Sequence, residues 1–291
     1  MSRALLGLVG ARIDRSISPA MHEAAGRAVG IDVRYHLIDA HVIGFGPDAL
    51  PQLLNGVRLA GFTGVNVTFP FKEAVVPWLD SIEGAAEKVG AVNTVVVHDG
   101  RLVGHNTDYS AVIGGWQRAF GARKPGVAAL IGAGGVGRAI GHALVTLGAQ
   151  EMRIADIDPA RARRLAETLQ SRYPTVHTIT APDAETACAG VSGIVNATPV
   201  GMHAFPGSPA PVSALSGIAW AMDAVYTPLE TAFIAAARRA GAAVMTGQEL
   251  AIGQATDAFV LFFGRRAPVE VMRRTFLAEV SRAPNAEVRP T

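Results

Sequence analysis

The stretch VAALIGAGGVGRAIGHALVTLGA, residues 127–149, decides the fold. Val127 to Ile131 is a continuous apolar run, the pattern of a parallel strand buried on both faces. Gly132, Gly134 and Gly137 follow it at GxGxxG spacing and open a helix. The first glycine permits a tight turn, the second lets backbone approach a pyrophosphate, and the third lets helix pack on strand. A helix N-terminus also presents unpaired amides and a positive dipole end to an anion. Gly132, Ala133, Gly134, Gly135, Val136 and Gly137 therefore read as a phosphate-binding turn. Strand, turn and helix in this order predict a Rossmann-type dinucleotide-binding domain.

Downstream of this stretch, strand-like and helix-like segments alternate: MRIADID (152–158), ARARRLAETLQSRY (160–173), HTITA (177–181), GIVNATP (193–199), WAMDAVY (220–226), ETAFIAAARRAG (230–241) and AAVMTG (242–247). That alternation predicts a doubly wound parallel sheet with crossover helices. Upstream, ALLGLVG (4–10), SPAMHEAAGRAVG (18–30), VRYHLIDA (33–40), GVNVTF (64–69), AVNTVVVHDG (91–100) and RLVGHN (101–106) give a second α/β region. QELAIGQATDAFVLFFG (248–264) and VEVMRRTFLAEV (269–280) read as two closing helices, and SRAPNAEVRPT (281–291) as a frayed tail. The expected domains are 1–108 completed by 248–291, and 109–247.

Asp156 stands nineteen residues beyond Gly137, at the end of the next strand. A carboxylate at that offset accepts hydrogen bonds from an adenosine ribose. A 2′-phosphate brought against Asp156 and Asp158 would meet like-charge repulsion, so NAD is favoured over NADP. Arg161, with Arg163 and Arg164, could neutralise such a phosphate, although a basic run is more often a solvated helix face.

Hydrophobic residues make up 49% of the 291 and charged ones 17%, which suits a packed core and excludes extended disorder. The formal charge is +2 and the basic residues are scattered, so no stripe is available to track nucleic acid. A single cysteine, Cys188, and eight scattered histidines predict neither a disulfide nor a metal site. No apolar run is long enough to span a membrane, and the short one at the start ends in ARIDRS without a cleavage signal. A cytoplasmic protein, monomeric or homodimeric, with a small-molecule substrate is expected.

The strings SISPAMH, NVTFPFK, AVNT and GHNTD, with NATPVGM, DAVYTPLET and GQELAIGQATDAF further on, resemble the shikimate/quinate dehydrogenase family over nearly the whole chain. The resemblance implies an N-terminal substrate domain, an NAD(P)-binding domain, and final helices that return to the first. It also implies catalytic roles for Lys72 and Asp108. Removing a hydride from a secondary alcohol requires that its hydroxyl proton leave too, so a base must stand within hydrogen-bond reach. Lysine serves near neutral pH only where burial or a neighbouring cation lowers its pKa. Without the resemblance, Lys72 would read as a surface lysine and Asp108 as a helix cap.

By the same resemblance Ser16 and Ser18 hold the substrate carboxylate, Thr68, Asn93 and Gln254 bind ring hydroxyls, and Tyr226 closes on the carboxylate side. Ser18 also reads as an N-cap, with Pro19 as the first helical residue. Ala197, Thr198, Pro199, Val225 and Gly247 would line the nicotinamide end. Asn66 and Asn106 read as turn or backbone-bracing residues, and His22 and His105 as structural.

Biosynthetic members of the family carry Asn-Arg-Thr where this chain has Asp156, Ile157 and Asp158, a departure that resembles the NAD-dependent catabolic enzymes. Tyr109 and Ser110 stand where a glycine often follows the aspartate, and would alter the pocket wall. The expected reaction is NAD-dependent oxidation of quinate, shikimate or both. The competing readings are an NADP-dependent biosynthetic shikimate dehydrogenase, an aminoshikimate-type relative, and a non-catalytic sensor of the same acids.

Overall fold

The alternating segments form two sheets in a computed structural model that describes residues 2–282. Residues 2–107 and 252–282 make one compact unit, and residues 108–251 another.

The first unit contains β1 (Ser2–Gly10), α1 (Ser18–Ala28), β2 (Ile31–Asp39), α2 (Ala40–Ile43), α3 (Leu50–Leu59), β3 (Gly64–Val67), β4 (Ser81–Ile82), α4 (Ala85–Val89), β5 (Thr94–His98) and β6 (Arg101–His105). Its strand order is β2-β1-β3-β5-β6-β4. β1 runs parallel to β2 and β3, and β5 antiparallel to β3 and β6. Asp99 and Gly100, both at positive φ, turn the chain between β5 and β6, the use to which Asp-Gly is suited. One sheet face packs Val9, Ile38, Val65 and Val95 against Leu50, Leu54 and Val57 of α3. Helix α3 has no counterpart among the expected elements, although its buried residues sit at i, i+4 and i+7.

The second unit holds α5 (Thr107–Phe120), β7 (Val127–Ile131), α6 (Gly135–Thr146), β8 (Glu151–Ala155), α7 (Pro159–Arg172), β9 (His177–Thr180), α8 (Ala184–Cys188), β10 (Gly193–Asn196), β11 (Trp220–Asp223), α9 (Ala232–Arg239) and β12 (Ala243–Met245). All six strands are parallel, in the order β12-β11-β10-β7-β8-β9. Read from β9, this is the doubly wound order 3-2-1-4-5-6. The order reverses between β7 and β10, and ligands of such sheets bind outside the carboxyl ends of the strands at that switch.

Helix α10 (Gly247–Phe263) begins in the second unit and carries the chain back to the first, where α11 (Val269–Arg282) packs on α1. Ala258 and Phe262 cover Leu6, Leu8, Ile31 and Val33 on the other face of the first sheet. The two closing helices therefore complete the first unit. Helix α11 runs through Ser281 and Arg282, and the rest of the expected frayed tail lies outside the described residues.

Candidate active site

In the first unit a buried line of polar side chains runs from β2 across β3 to the start of β5. The Tyr35 hydroxyl, also bonded to Ser18, donates to Asn66 Oδ1 at 2.9 Å. Burial pushes that phenol well above its ordinary pKa, an effect the Ser18 hydroxyl only partly offsets. Asn66 Nδ2 donates to Thr94 Oγ1 at 3.0 Å, and Thr94 Oγ1 donates to Asn93 Oδ1 at 3.2 Å. Asn93 in turn grips Thr107: its Oδ1 accepts the Thr107 N–H at 2.7 Å and its Nδ2 donates to Thr107 Oγ1 at 3.0 Å. An amide group carries two N–H donors, so Asn93 keeps one for a ligand hydroxyl.

This line fixes the candidate residues by their chain neighbours. Thr107, held by Asn93, directly precedes Asp108, which is 4% exposed in the first turn of α5. Lys72 is 9% exposed, and its carbonyl accepts the N–H of Val92, next to Asn93. Lys72 is thus not the surface lysine that its sequence alone would suggest, and Asp108 lies within α5 rather than before it. Thr68 follows β3 and donates its N–H to Val9 O, while the backbone of Phe71 returns to Thr68 O. Asn106, as expected of a brace, donates to Ala91 O at 2.9 Å.

Ser16 lies on a loop anchored by Asp39, and Ser18 opens α1 behind it. The Asp39 carboxylate accepts from Arg12 N at 2.9 Å, Ile13 N at 2.8 Å and His41 N at 2.9 Å. Burial alone would raise its pKa, but the amides of Ile13, Arg12, His41 and Val42 together hold it below the ordinary value. One expectation is corrected: the N-cap of α1 is Ile17, and Ser18 is already helical. Ser16 Oγ takes the Ser18 N–H at 3.3 Å, so the helix begins one residue early. Gln254 lies on the part of α10 that belongs to the first unit. His22 is buried against Tyr35, Phe259 and Phe262, and burial lowers its pKa to about 3.

In the second unit the glycine turn has the geometry its spacing predicts. Gly132 adopts φ +100° and lies against Ala197, whose carbonyl oxygen would stand 2.7 Å from an added Cβ. A Cβ on Gly137 would collide with the carbonyl of Gly132, whereas one at Gly134 would meet nothing. Gly134 is the N-cap of α6 and offers no side chain to its first amides, nor does the first turn hold an acidic residue. Open space and unpaired donors fit a pyrophosphate.

Asp156 Oδ2 accepts the Ala133 N–H at 2.7 Å and Oδ1 that of Asp158 at 2.8 Å, so the carboxylate braces the glycine turn. Each oxygen retains a lone pair for a ribose hydroxyl. Asp158 caps α7 through Ala160 N and also faces Arg161 Nε at 3.6 Å. Arg161 is thereby drawn to a carboxylate of its own helix. At the far ends of β10 and β11, Asn196 Nδ2 donates to Asp223 Oδ1 at 2.9 Å, and Asp223 also accepts the Val225 N–H. Gly247 packs against the Val225 carbonyl so closely that a Cβ would overlap it. The segments of Gly132, Ala197–Pro199, Val225 and Gly247 are therefore brought together, and Tyr226, a phenol raised by burial, follows Val225. The Tyr109 hydroxyl donates to Thr146 Oγ1 at 2.9 Å and ties α5 to α6.

The sequence reading passed over Tyr35, Asp39 and Asp223. Of these only Asp223 ends a strand of otherwise apolar residues, the pattern that marks a buried hydrogen-bonding role. Among the described residues no group of three or more His, Cys, Asp or Glu could hold a metal ion, and no helix is long and apolar enough to cross a membrane.

The shikimate dehydrogenase substrate-binding domain model matches residues 8–95, and a model described as NADP oxidoreductase, coenzyme F420-dependent, matches residues 127–206. A quinate/shikimate dehydrogenase (NAD(+)) of Corynebacterium efficiens is 44% identical over 94% of this chain and 98% of its own. A shikimate dehydrogenase (NADP(+)) of Pseudarthrobacter chlorophenolicus is 39% identical over 95% of each. The solved quinate dehydrogenase from Corynebacterium glutamicum in complex with NAD superposes with a TM-score of 0.87 at 42% identity, covering 96% of this chain and all of that one. With a complete glycine turn on a doubly wound sheet and a substrate-domain match beside it, the chain belongs to the shikimate/quinate dehydrogenase family.

Proposed function

We propose that this protein oxidises the ring 3-hydroxyl of quinate, shikimate or both to the 3-dehydro acid, reversibly, with NAD. The observation that carries the cofactor half is the Asp156 carboxylate, set beside the glycine turn at the end of β8, with Arg161 facing Asp158. A 2′-phosphate there would oppose a carboxylate, whereas ribose hydroxyls find an acceptor. The relative that is named for NAD is also 44% identical over nearly the full chain.

Bound at the second unit by Gly132, Ala133, Gly134, Gly135, Val136, Gly137, Asp156 and Asp158, the dinucleotide supplies a hydride acceptor. The protein supplies the rest. Ser16 and Ser18 receive the substrate carboxylate, and Thr68, Asn93 and Gln254 orient the ring through its hydroxyls, with Tyr226 on the carboxylate side. As the hydride leaves the carbinol carbon, the hydroxyl proton passes to Lys72 or Asp108 and the carbon–oxygen bond becomes a carbonyl. Burial of both residues keeps water from competing for that proton. A small polyol acid and a soluble nicotinamide pool suit a cytoplasmic enzyme, monomeric or homodimeric.

Initial rates for quinate and shikimate, each with NAD and NADP, test the reading. NAD-linked oxidation of either acid is the expected outcome, and the faster acid names the preferred substrate. A strong NADP preference would overturn the role given to Asp156, and silence with all four pairs would leave a sensor or another ring substrate.

A further inference from the structure

Asn196, Asp223 and Thr231 are almost completely buried, at 0, 0 and 1% exposure, and form a closed polar cluster in the second unit. Asp223 Oδ1 accepts from Val225 N and Asn196 Nδ2, both at 2.9 Å, and Oδ2 accepts from Thr231 Oγ1 at 2.6 Å. Asn196 also donates to Val200 O at 2.8 Å, and its Oδ1 accepts from Thr198 N at 3.0 Å and Thr198 Oγ1 at 2.7 Å. Thr198 Oγ1 then takes the Val200 N–H at 3.1 Å. Thr231 Oγ1 accepts the Ile234 N–H as the N-cap of α9, which commits its own proton to Asp223.

All the groups facing Asp223 are donors, and among the described residues no cation pairs with it. A buried carboxylate without a cation is an expensive choice, since apolar residues of similar size would pack there more stably. An amide would turn a second donor toward Val225 N or Thr231 Oγ1. The cluster therefore specifies a carboxylate, and what it fixes is the exit of two neighbouring strands: Ala197 to Val200 after β10, which flanks the switch point, and Val225 after β11.

We propose that the Asn196–Asp223–Thr231 cluster positions the nicotinamide end of the dinucleotide by locking the Ala197–Val200 and Val225 segments against each other. This rests on the NAD reading above. Asp223 acts through those segments and is a positioning residue. The adenosine end is held elsewhere, at Asp156 and the glycine turn, so the two ends of the cofactor are separable by experiment.

The test compares affinities for NADH and for ADP-ribose, which lacks the nicotinamide, by titration of the full-length wild type, D223N, T231V and T231S, alongside kcat and KM for NAD. In D223N and T231V the affinity for NADH should fall about tenfold and kcat by about 100-fold, as a misplacement near 1 Å entails, with ADP-ribose affinity within about twofold of wild type. T231S keeps the hydroxyl and should retain the wild-type ratio. Equal weakening of both ligands would mean a general loosening of the second unit and would overturn the proposal. So would unchanged NADH affinity in both D223N and T231V, or a wild type that binds the two ligands equally. A wild type that prefers NADH but turns over neither acid would instead sink the assigned reaction and leave the positioning role standing.

Discussion

Asp39 in the first unit and Asp223 in the second each end a parallel strand and each accept the N–H two residues on, yet their carboxyl groups titrate in opposite directions. Asp39 gathers the backbone amides of Ile13, Arg12, His41 and Val42, and their sum overcomes its burial. Asp223 receives one backbone amide and two side-chain donors in a fully buried place, and burial wins, raising it to about 6. Asp156 and Asn196 make the same turn, through the N–H groups of Asp158 and Thr198. One local device, a short polar side chain closing a turn on its own backbone, shapes strand exits in both units. What differs is the depth of burial and the kind of donor, four backbone amides at Asp39 against one at Asp223, and together they decide charge.

The proposed roles place Lys72 in the first unit and the dinucleotide's glycine turn in the second. Lys72→Ala tests this division most severely. Loss of the amine proposed to share in proton transfer should lower kcat with quinate or shikimate by about 1,000-fold while the Kd for NADH stays within about twofold. A comparable fall in NADH affinity would show that Lys72 serves the cofactor and would erase the division. Gly137→Ala probes the other side. Its Cβ meets the Gly132 carbonyl, a backbone atom that cannot rotate away, so the turn must open. Affinity for NADH should drop at least tenfold, about 1.4 kcal/mol, with binding of the acid unaffected. Retained affinity would mean that the turn does not hold the pyrophosphate.

Asn93→Ala asks whether the first unit's neutral network matters as much as the second unit's charged one. The substitution strands the buried Thr107 N–H and leaves Thr94 Oγ1 without its acceptor. A buried group left unsatisfied costs roughly 1–3 kcal/mol, so chemical unfolding should show a loss of about 2 kcal/mol. A loss below about 0.5 kcal/mol would mean that water replaces the amide and that the line of hydrogen bonds is not what secures Thr107.

The sequence disclosed what is local. The glycine turn, the strand before it and the carboxylate one strand later are specified within some thirty residues, and their geometry follows from spacing alone. Asp158 was legible only in part, because the same DxDP string that suggests a ribose contact also writes a helix cap, and the cap is what the structure displays. Tyr35, Asp39 and Thr231 were illegible for a common reason. Their partners lie on other elements, Asn66 on β3, Arg12 and Ile13 after β1, and Asp223 on β11, and only the register of the sheets brings them together. Helix α3 was missed despite a usable apolar period, since Pro47, Pro51 and Gly56 resemble loop punctuation. Pro51 in the first turn lacks an N–H that would have been unpaired anyway.

The smallest predicted effect returns to the two titrations. His22 has a native pKa near 3 against 6.5 when unfolded, so below about pH 6.5 the unfolded chain binds a proton that the native one refuses. Its contribution to stability is therefore present above that pH and is lost as the pH falls toward 3. Asp223 has the reverse sign. A native pKa near 6 against 3.8 lets the native state take the proton first, so its contribution is present below about pH 3.8 and is lost as the pH rises through 6. Between about pH 7 and about pH 5.5, H22M should abolish a loss of about 1 kcal/mol and D223N a gain of somewhat under 1 kcal/mol, a partial cancellation in the wild type. Unfolding curves of both variants at the two pH values measure this. If H22M left the acid sensitivity unchanged, or D223N moved it in the same direction as H22M, then the kind of donor and burial would not be what separates the two units.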